Sequence, residues 1–391
     1  MIGCGRFLNR SERSIRLGAF FSHPTQYYGS LFKRLAARPE VDLTVVFCSR
    51  VGTHETWDPG FGVAFKWDVP LLEGYRHEFL SEPLREIPKV LDRGQFDVIW
   101  VSGCRDFWAW RLFIAAWHRR RPVLLFGDSH LLDRKPWAKR LLRRCLYGTL
   151  FPRLAGALYV GQANRRFFEC YGIRRNRLFA TPHCVDNDFF RSRAEALRSE
   201  RDQLRKRFSL PGAGAVVLFC GKLVPKKQPM VLLEAYRRVR REVPCSLLFA
   251  GEGQLRGEIE RRVQEAGIPD VRISGFLNQT EIPLAYAAAD ILVLPSAWSE
   301  TWGLVINEAM NFGLPIIATE KVGASYDLVH DGENGYVVPA GDVAALTARL
   351  DELIRDEPRR RMLGARSTEL IKSRNYDMFI DGLLGGCRAV A

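Results

Sequence analysis

The feature that most constrains the fold is a repeated alternation of short apolar runs with amphipathic helical stretches. The runs of the first half are rich in Val, Ile, Leu and Phe and lack regular polar alternation, as expected of parallel strands covered on both faces. They are predicted as strands at Ile15–Phe21, Leu43–Cys48, Phe96–Val101, Val123–Phe126 and Ala157–Val160. Helical stretches such as Tyr28–Ala37 and Phe107–Arg119 separate them. This order predicts a doubly wound α/β domain.

A second series of the same kind begins after a highly charged, helix-like segment at residues 188–209. Its predicted strands are Ala215–Cys220, Ser246–Ala250, Val271–Ser274, Ile291–Leu294, Ile316–Ala318 and Gly335–Val338. Its predicted helices are Met230–Arg241, Gln254–Ala266, Leu304–Asn311 and Val343–Asp356. We therefore predict two Rossmann-like doubly wound domains that face each other across a cleft.

The charged segment between the two series sets the predicted domain boundaries. The first domain is predicted over residues 14–187 and the second over residues 213–373, with a charged helical linker at residues 188–212. Residues 374–391 are predicted to form a last helix, which can pack back on the first domain.

Composition bounds the class of protein. Hydrophobic residues make up 47% and charged residues 26% of the chain, so it can bury cores and is not of the disordered class. Met1–Arg16 carries four arginines and no apolar segment, so we expect no secretory signal. Nine cysteines are scattered without a CxxC pair, which favours reduced, mostly buried thiols in a cytosolic protein without a metal site.

Positive charge is concentrated in the first half. Residues 1–210 hold 37 basic and 21 acidic side chains, whereas residues 211–391 hold 21 and 23. Such an excess predicts contact with a polyanion or an anionic membrane. A nucleic-acid-binding protein is one alternative, but this half shows no helix-turn-helix, zinc or RNP-type pattern, and we expect no nucleic-acid partner.

One stretch of the basic half, Arg134–Leu146, has a pattern that fits a membrane surface. Trp137, Leu141 and Cys145 recur every four residues among six lysines and arginines. A helix of this kind could lie on an anionic bilayer. The alternative is a helix that packs Leu141 and Leu142 inward and leaves its arginines in solvent.

The segment Ser299–Met310 carries the most specific chemistry in the second half. It follows a predicted strand and opens a helix, which is where open α/β sheets bind ligands. Amides at the start of a helix lack intrahelical acceptors and bind phosphate readily. We therefore predict that the first residues of this segment bind a phosphate-containing ligand, namely Thr301, Trp302, Gly303 and Leu304.

Two glutamates in that segment are candidates for hydroxyl recognition. Glu300 precedes the helix, where a carboxylate can bond hydroxyls of a ligand, and Glu308 lies two turns later, where it could reach a ribose. The alternative makes Glu300 a helix-start acid and Glu308 a solvated helix residue.

A basic loop follows the first strand of the second series. Lys222 and Lys227 come after Gly221 and precede a helix, so they could neutralise a diphosphate as it leaves. The alternative is a solvated basic loop. Two further strand ends give weaker signals: Gly253 permits a close backbone approach, and Phe276 could border a nucleobase.

Residues 215–340 resemble the donor domain of family 4 glycosyltransferases, which have the GT-B fold. The resemblance rests on Glu300 and Glu308 as E-x7-E, the loop at 221–227, Pro295-Ser296, the Gly-Leu-Pro-Ile-Ile-Ala-Thr run at 313–319 and the run from Asp327 to Gly335. Several motifs in one order at this spacing are far more specific than any one alone.

The resemblance implies a role for each matching residue. Glu300 would hold hydroxyls of the donor sugar, Glu308 the ribose, and Lys222 and Lys227 the diphosphate, while amides around Gly303 would contact phosphate or sugar. The family typically has Arg where Lys222 stands, and Lys keeps the charge but loses the planar fork. It also implies a retaining reaction on a nucleotide-diphosphate sugar without a metal or other cofactor.

The first half matches that family less sharply. His23, Gln26 and Tyr27 follow the first strand, where the family places a loop that faces phosphate or acceptor. Asp128 and His130 follow a later strand end, and either could orient the acceptor or accept its proton. The alternative for His130 is that it caps or fills a turn.

A run of three residues at the domain join mimics a metal motif. Asp186-Asn187-Asp188 matches the DxD pattern of the other major glycosyltransferase fold. Because it lies at the domain join and not beside a donor strand, we predict instead that Asp188 caps the following helix.

The sequence as a whole predicts a glycosyltransferase that moves a sugar from a nucleotide-diphosphate sugar to a glycan or lipid-linked acceptor, in the synthesis of cell-surface polysaccharide or glycolipid. A nucleotide-sugar epimerase or a glycan phosphorylase on the same fold is the alternative. We expect a cytoplasmic location. A peripheral contact with the inner face of the cell membrane is an alternative that the sequence leaves open.

Overall fold

The computed structural model describes residues 14–133, 135–211 and 214–391. Two parallel sheets dominate it, and a separate two-stranded antiparallel hairpin lies between the second and third strands of the first sheet in the chain order. The strands are β1 Ile15–Phe21, β2 Val41–Phe47, β3 Thr56–Asp58, β4 Val63–Phe65, β5 Arg76–Phe79, β6 Val98–Ser102, β7 Val123–Gly127, β8 Gly156–Tyr159, β9 Leu178–Ala180, β10 Ala215–Cys220, β11 Cys245–Ala250, β12 Val271–Gly275, β13 Ile291–Leu294, β14 Ile316–Thr319 and β15 Gly335–Val338.

The strand orders confirm the prediction of two doubly wound domains. The first sheet has the order β5-β2-β1-β6-β7-β8-β9 and the second the order β12-β11-β10-β13-β14-β15. In both sheets the order reverses beside the first strand of the series, and this reversal opens a crevice at the carboxyl ends of the strands. Strands β10, β11, β13 and β14 are buried along their whole length, which agrees with their continuous apolar sequences.

Helices cover both faces of each sheet. They are α1 Gly29–Ala36, α2 Pro83–Gly94, α3 Phe107–His118, α4 Trp137–Leu150, α5 Gln162–Cys170, α6 Asn187–Leu197, α7 Arg201–Arg207, α8 Pro229–Arg240, α9 Arg256–Glu265, α10 Ile282–Ala288, α11 Val305–Met310, α12 Ser325–Leu328, α13 Val343–Arg355, α14 Glu357–Lys372 and α15 Tyr376–Val390. The predicted elements are present, and their ends coincide with the prediction or are shifted by one or two residues. The hairpin β3–β4, strands β5 and β9, and helices α2, α5, α10, α12 and α14 were not predicted.

The segment between the two sheets packs on the second one. Helices α6 and α7 lie against α10, where Leu197 and Leu204 pack with Leu284 and Ala288. Arg201 and Arg205 both donate to the carboxylate of Asp290, at 2.5 and 2.6 Å. These contacts fix the charged helices to the second domain. Residues 212 and 213, at the predicted boundary between this linker and the second domain, lie outside the described residues.

The chain crosses between the domains twice, and one side chain joins the two crossings. The amide nitrogen Nδ2 of Asn187 donates to the carbonyl oxygens of Ile371 and Arg374, at 3.1 Å each. Helix α15 then packs on the first sheet, where Phe379 meets the rings of Trp100 and Phe126.

The return of α15 depends on a glycine. A Cβ atom on Gly382 would lie 1.8 Å from the carbonyl oxygen of Ala180 in β9, so no larger residue fits at this close approach. The last helix therefore belongs spatially to the first domain.

The prediction that Asp188 caps the helix after the domain join is wrong. The cap of α6 is Asp186, whose carboxylate accepts from the backbone amide of Phe189 at 3.1 Å. Asp188 lies in the first turn of the helix and pairs with Arg34 at 2.5 Å. Helix α6 starts two residues earlier than the prediction required, and this shift moves the cap.

The inward packing of Leu141 and Leu142, one of the two alternatives for the basic stretch, is also wrong. Helix α4 has no buried side chain, and the two leucines are 55% and 59% exposed. Trp137 at its start is 77% exposed. Arg134 lies outside the described residues. The helix therefore presents apolar and basic side chains together to solvent.

No helix in the described ranges is long and apolar enough to cross a membrane. The eight cysteines of the described part of the chain are free thiols, four of them buried and two exposed, so burial is less general than predicted. The arginine-rich start, up to residue 13, lies outside the described residues.

Candidate active site in the interdomain cleft

A cavity of about 390 Å³ lies between the two domains at the carboxyl ends of their strands. Its volume and position are those of a small-molecule site in a doubly wound protein. Both domains line it. The first contributes Gln26, Tyr27, Asp58, Phe61, Phe65 and Trp67, and the second contributes Cys220, Gly221, Lys222, Lys226, Lys227, Gly251, Phe276, Leu277, Gln279, Val305 and Glu308.

Glu300 and Lys227 form a nearly buried ion pair at the cavity wall. Lys227 lies in a short turn after β10, and its Nζ is 2.5 Å from Oε2 of Glu300. The hydroxyl of Ser296 donates to the same carboxylate at 3.0 Å. Burial alone would raise the pKa of Glu300, but the charges of Lys227 and Lys226 outweigh it and lower that pKa below its ordinary value. Glu300 is therefore an anion that orients a cation toward the cavity.

Glu308 is buried inside the cavity wall and is 2% exposed, so the alternative of a solvated helix residue is wrong. The hydroxyl of Tyr286 donates to its Oε2 at 2.6 Å, and Tyr27 of the first domain also hydrogen-bonds to it. Burial raises the pKa of Glu308 to about 7, although both tyrosine hydrogen bonds oppose this shift. The carboxyl group can thus change its charge near neutral pH.

Lys222 extends from the end of β10 toward the first domain. Its Nζ donates to both carboxylate oxygens of Asp58, at 2.7 and 2.8 Å, and lies 4.7 Å from the ring centroid of Phe61. Phe276 of the second domain meets the ring of Phe65 at a centroid distance of 4.4 Å. The hairpin β3–β4 therefore forms a roof over the side of the cavity where both predicted donor residues lie.

The loop before α11 supplies free backbone amides. The helix begins at Val305, one residue later than predicted, with Leu304 as its cap residue. Gly303 has φ of +97°, a conformation that disfavours other residues. In the described part of the chain, no protein group accepts from the amides of Gly303 and Leu304. These two amides are therefore available to an oxygen of a ligand.

Another residue of this loop, Trp302, has a structural role, and Gly253 lies outside the cavity lining. Trp302 is buried, and its indole nitrogen donates to Oδ1 of Asn307 at 2.8 Å. Gly253, a predicted donor contact, lies against the backbone of Leu223 and not in the cavity lining, which Gly251 joins instead. The glycine pair after β11 is thus at the site, but the residue that faces the cavity is the first of the two.

Asp128 and His130 of the first domain contact the loop before α11 in the second domain. The hydroxyl of Thr301 donates to Oδ2 of Asp128 at 2.6 Å. The backbone amide of Leu132 donates to Nδ1 of His130, so Nε2 carries the proton and donates to the carbonyl of Glu300 at 3.1 Å. Both nitrogens of His130 are occupied by the backbone, as expected of a residue that fills a turn.

The loop after β1 divides into two parts. Gln26 and Tyr27 line the cavity, whereas His23 lies outside the lining with its Nδ1 2.9 Å from the hydroxyl of Ser22. Burial lowers the pKa of His23, and the charge of Asp106 opposes that shift. His23 is therefore favoured as a neutral ring outside the cavity lining.

Sequence reasoning missed the roof of the cavity. Asp58, Phe61, Phe65 and Trp67 lie on or next to a hairpin with three-residue strands. The run Asp58-Pro59-Gly60 is a turn signal, and the aromatic residues that follow could have indicated a surface hairpin that packs elsewhere. No local sequence pattern indicates that Asp58 of this hairpin pairs with Lys222.

Among the described residues, no group of three or more His, Cys, Asp or Glu side chains is arranged to hold a metal ion. Asp186 and Asp188, the ends of the DxD-like run, contact Phe189 and Arg34 as described above.

Residues 200–370 match the family model described as glycosyl transferases group 1. That region contains all the second-domain residues of the cavity. Among curated relatives, a D-inositol 3-phosphate glycosyltransferase from Thermomonospora curvata is 35% identical over 232 residues, which are 56% of this chain and 53% of the relative. A phosphatidyl-myo-inositol mannosyltransferase from Mycobacterium leprae is 34% identical over 173 residues, 43% of this chain and 44% of the relative. The chain thus spans about half the length of the curated relatives it matches.

Solved structures show the fold over nearly the whole chain. A glycosyltransferase from Rickettsia africae superposes with a TM-score of 0.76 at 15% identity, covering 96% of this chain and 98% of that one. The Anabaena protein Alr3699/HepE, solved in complex with UDP and glucose, superposes with a TM-score of 0.71 at 18% identity, covering 95% and 98%. These likenesses confirm the predicted GT-B fold, with two Rossmann-like domains across a cleft.

Proposed function

We propose that this protein is a retaining glycosyltransferase of family 4 that uses a nucleotide-diphosphate sugar. The observation that carries the proposal is the convergence of Lys222, Lys227 and Glu308 on one cleft cavity, with Glu300 paired to Lys227. Cations beside the leaving diphosphate compensate the charge that builds there as the sugar bond breaks. The match of residues 200–370 to glycosyl transferases group 1 supports the same reaction.

The arrangement of charges favours a reaction without a covalent sugar intermediate. Glu300 already accepts from Lys227 and Ser296, so its carboxylate is engaged in positioning. We propose that the acceptor hydroxyl attacks the same face of the sugar that the diphosphate leaves, and that the leaving phosphate takes its proton. Closure of the two domains would exclude water and protect the donor from hydrolysis. Chelation with EDTA should leave the rate unchanged, because no metal takes part in this proposal.

The acceptor is proposed to be a glycan or a lipid-linked molecule bound by the first domain. Gln26 and Tyr27 reach the cavity from that side, and Asp128 and His130 lie beside the donor loop. One relative is named for an action on phosphatidyl-myo-inositol, which supports an acceptor in glycolipid synthesis.

A thermal-shift screen of UDP-, GDP- and ADP-sugars tests the donor proposal. A ligand at 100 times its Kd should stabilise the protein by about 2.7 kcal/mol. Glu308→Ala should abolish that stabilisation, whereas Lys372→Ala, which removes an exposed lysine that does not line the cavity, should retain it. If no nucleoside diphosphate or its sugar stabilises the wild-type protein, the proposed function is wrong.

We further propose that the first domain rests on the cytoplasmic face of an anionic membrane. Helix α4 exposes Trp137, Leu141 and Leu142 beside the exposed cations Lys139 and Arg140. Aromatic and aliphatic side chains mixed with cations in this way bind the interface of an anionic bilayer.

Helix α3 extends this surface. Its Phe107 and Trp117 are exposed, and a groove of about 870 Å³ runs between α3 and the end of α4. Arg120 and Arg153 lie along the groove, where they could meet lipid phosphates. The whole face therefore combines apolar area with positive charge.

Sedimentation with phosphatidylglycerol vesicles tests the membrane proposal. The double variant Leu141→Ser and Leu142→Ser should lose most binding without a change in stability, because both side chains are exposed. Met362→Ser, which changes an exposed apolar residue of the second domain, is the matched control and should bind like wild type. Equal binding to neutral phosphatidylcholine vesicles, or none to either, would contradict the proposal.

A further inference from the structure

The hairpin β3–β4 brings a carboxylate onto the lysine that the proposed reaction needs for the diphosphate. Asp58 lies at the end of β3, and its Oδ1 accepts from the backbone amides of Gly60 and Phe61 at 2.7 and 3.0 Å. Lys222 Nζ donates to both oxygens of the same carboxylate. The carboxylate thus has four hydrogen bonds, two from its own turn and two from the opposite domain.

The turn is shaped for this contact. A Cβ atom on Gly60 would lie 2.8 Å from Nζ of Lys222, so the absence of a side chain lets the ammonium group approach the turn. Burial tends to raise the pKa of Asp58, but the hydrogen bonds from Lys222 and from the turn amides lower it below its ordinary value. Asp58 is therefore an anion throughout the neutral pH range.

The aromatic rings of the hairpin cover a second part of the same surface. Phe61 and Phe65 meet the ring of Phe276 at centroid distances of 4.9 and 4.4 Å. Phe276 follows β12 and lines the cavity. One hairpin thus contacts both a cation for phosphate and a ring where a base could stack.

We propose that the hairpin is a lid whose Asp58 occupies the phosphate position on Lys222 until a nucleoside diphosphate displaces it. The inference rests on the proposed function and adds a competing group inside the protein. Asp58 and a diphosphate are both anions, so they cannot share one lysine without mutual repulsion. The ion pair is partly exposed to solvent, with side-chain exposures of 33% and 27%, so its strength is modest and a bound diphosphate can replace it.

Another interdomain carboxylate shows what a simple tether looks like. Asp68 accepts from the backbone amide of Thr280 at 3.2 Å and from its hydroxyl, and it contacts no cation of the cavity. It therefore joins the domains without competing for phosphate. Asp68→Asn is the matched control for Asp58→Asn, since both variants remove one interdomain carboxylate.

Calorimetric titration with bare UDP, GDP and ADP tests the lid. The nucleotide that binds wild type should bind Asp58→Asn roughly three- to tenfold more tightly, because the competing charge is gone. Asp68→Asn should bind it as wild type does. In a Lys222→Met background, Asp58→Asn should give no further gain, since the two residues act on the same contact.

The outcomes separate the lid from the proposed function. If wild type binds a nucleotide but Asp58→Asn binds it equally or more weakly, Asp58 is a tether or a donor ligand and the lid inference is wrong. If neither protein binds any of the three nucleotides, the proposed function fails and the lid fails with it. A melting temperature of Asp58→Asn within a few degrees of wild type shows that the variant is folded, and Asp58→Ala provides a second test of the same charge.

Discussion

The two walls of the cleft cavity differ in how their residues reach it. On the second domain, Lys222 and Lys227 lie in the loop after β10, Phe276 follows β12 directly, and Glu308 lies on α11, the next helix after β13. On the first domain, the roof comes from a small hairpin outside the main sheet. The wall formed by the second domain is therefore determined by its sheet. The wall formed by the first domain depends instead on the position of a hairpin that its sheet does not fix.

The largest effect should come from the second-domain wall. Glu300→Gln removes the negative charge that orients Lys227 and leaves only one oxygen that can accept from a ligand hydroxyl, so we expect kcat to fall about 10²- to 10³-fold. Steady-state kinetics with the donor identified by thermal shift measures this. Glu320→Gln, which changes a partly buried glutamate of the same domain outside the cavity lining, is the control. A fall of less than fivefold would show that the ion pair is only structural.

Lys227→Ala should have the next largest effect. It tests whether Lys227 and Lys222 differ in their contribution to nucleotide binding. Loss of a charged hydrogen bond to the diphosphate should weaken nucleotide binding roughly 10- to 100-fold. Lys222→Ala should weaken nucleotide binding less, because in wild type the diphosphate must first displace Asp58 from Lys222, and this offsets part of the affinity that the lysine contributes. Calorimetry with the bare nucleotide distinguishes them, and equal losses would argue that Asp58 does not occupy the phosphate position.

The titration of Glu308 should make stability depend on pH. The folded-state pKa of about 7 lies above the ordinary value of 4.5, so the folded protein holds a proton that the unfolded chain releases. Its contribution is greatest below pH 4.5 and is lost as the pH rises through about 7. Melting temperatures of wild type should therefore fall relative to Glu308→Gln between pH 5 and 8. Parallel curves for the two proteins would contradict the shift.

The smallest effect should come from the first-domain loop. Tyr27→Phe removes a hydrogen bond that favours ionised Glu308, so the pKa of Glu308 should rise further above its ordinary value. The pH at which nucleotide binding reaches half its maximum should move upward by the same amount, since ionised Glu308 is the better acceptor for ribose hydroxyls. Tyr28→Phe is the neighbouring control. A tenfold loss of affinity at pH 8 would mean that Tyr27 contacts the ligand directly.

The same contrast explains what the sequence could predict. Continuous apolar runs such as β10 and β13 are recognisable because both faces of each strand are buried, and the ligand groups that follow them are then placed by topology. The hairpin strands Thr56–Asp58 and Val63–Phe65 are too short and too exposed to show the alternation of apolar and polar residues that identifies a strand. The pairing of Asp58 with Lys222 joins residues 164 positions apart, and such contacts leave no local pattern.

Smaller errors have equally local causes. The run Asp186-Asn187-Asp188 offers three residues that can cap a helix, and only the backbone angles decide which one does. Helix α4 has the periodicity of a core helix, but Trp137, Leu141 and Leu142 are exposed, whereas Tyr147 and Leu150 near its end pack against the core of the first domain. Periodicity shows that a helix has an apolar side, and it does not show what that side meets.

The paired passages of the chain from one domain to the other restrict how the cleft can open. A single connection would allow the domains to swivel in any direction, whereas two connections held together by Asn187 favour rotation about one axis through them. Each closing movement would then bring a sugar on one domain and an incoming hydroxyl on the other into the same alignment. Bond formation at a single carbon requires that repeatable alignment.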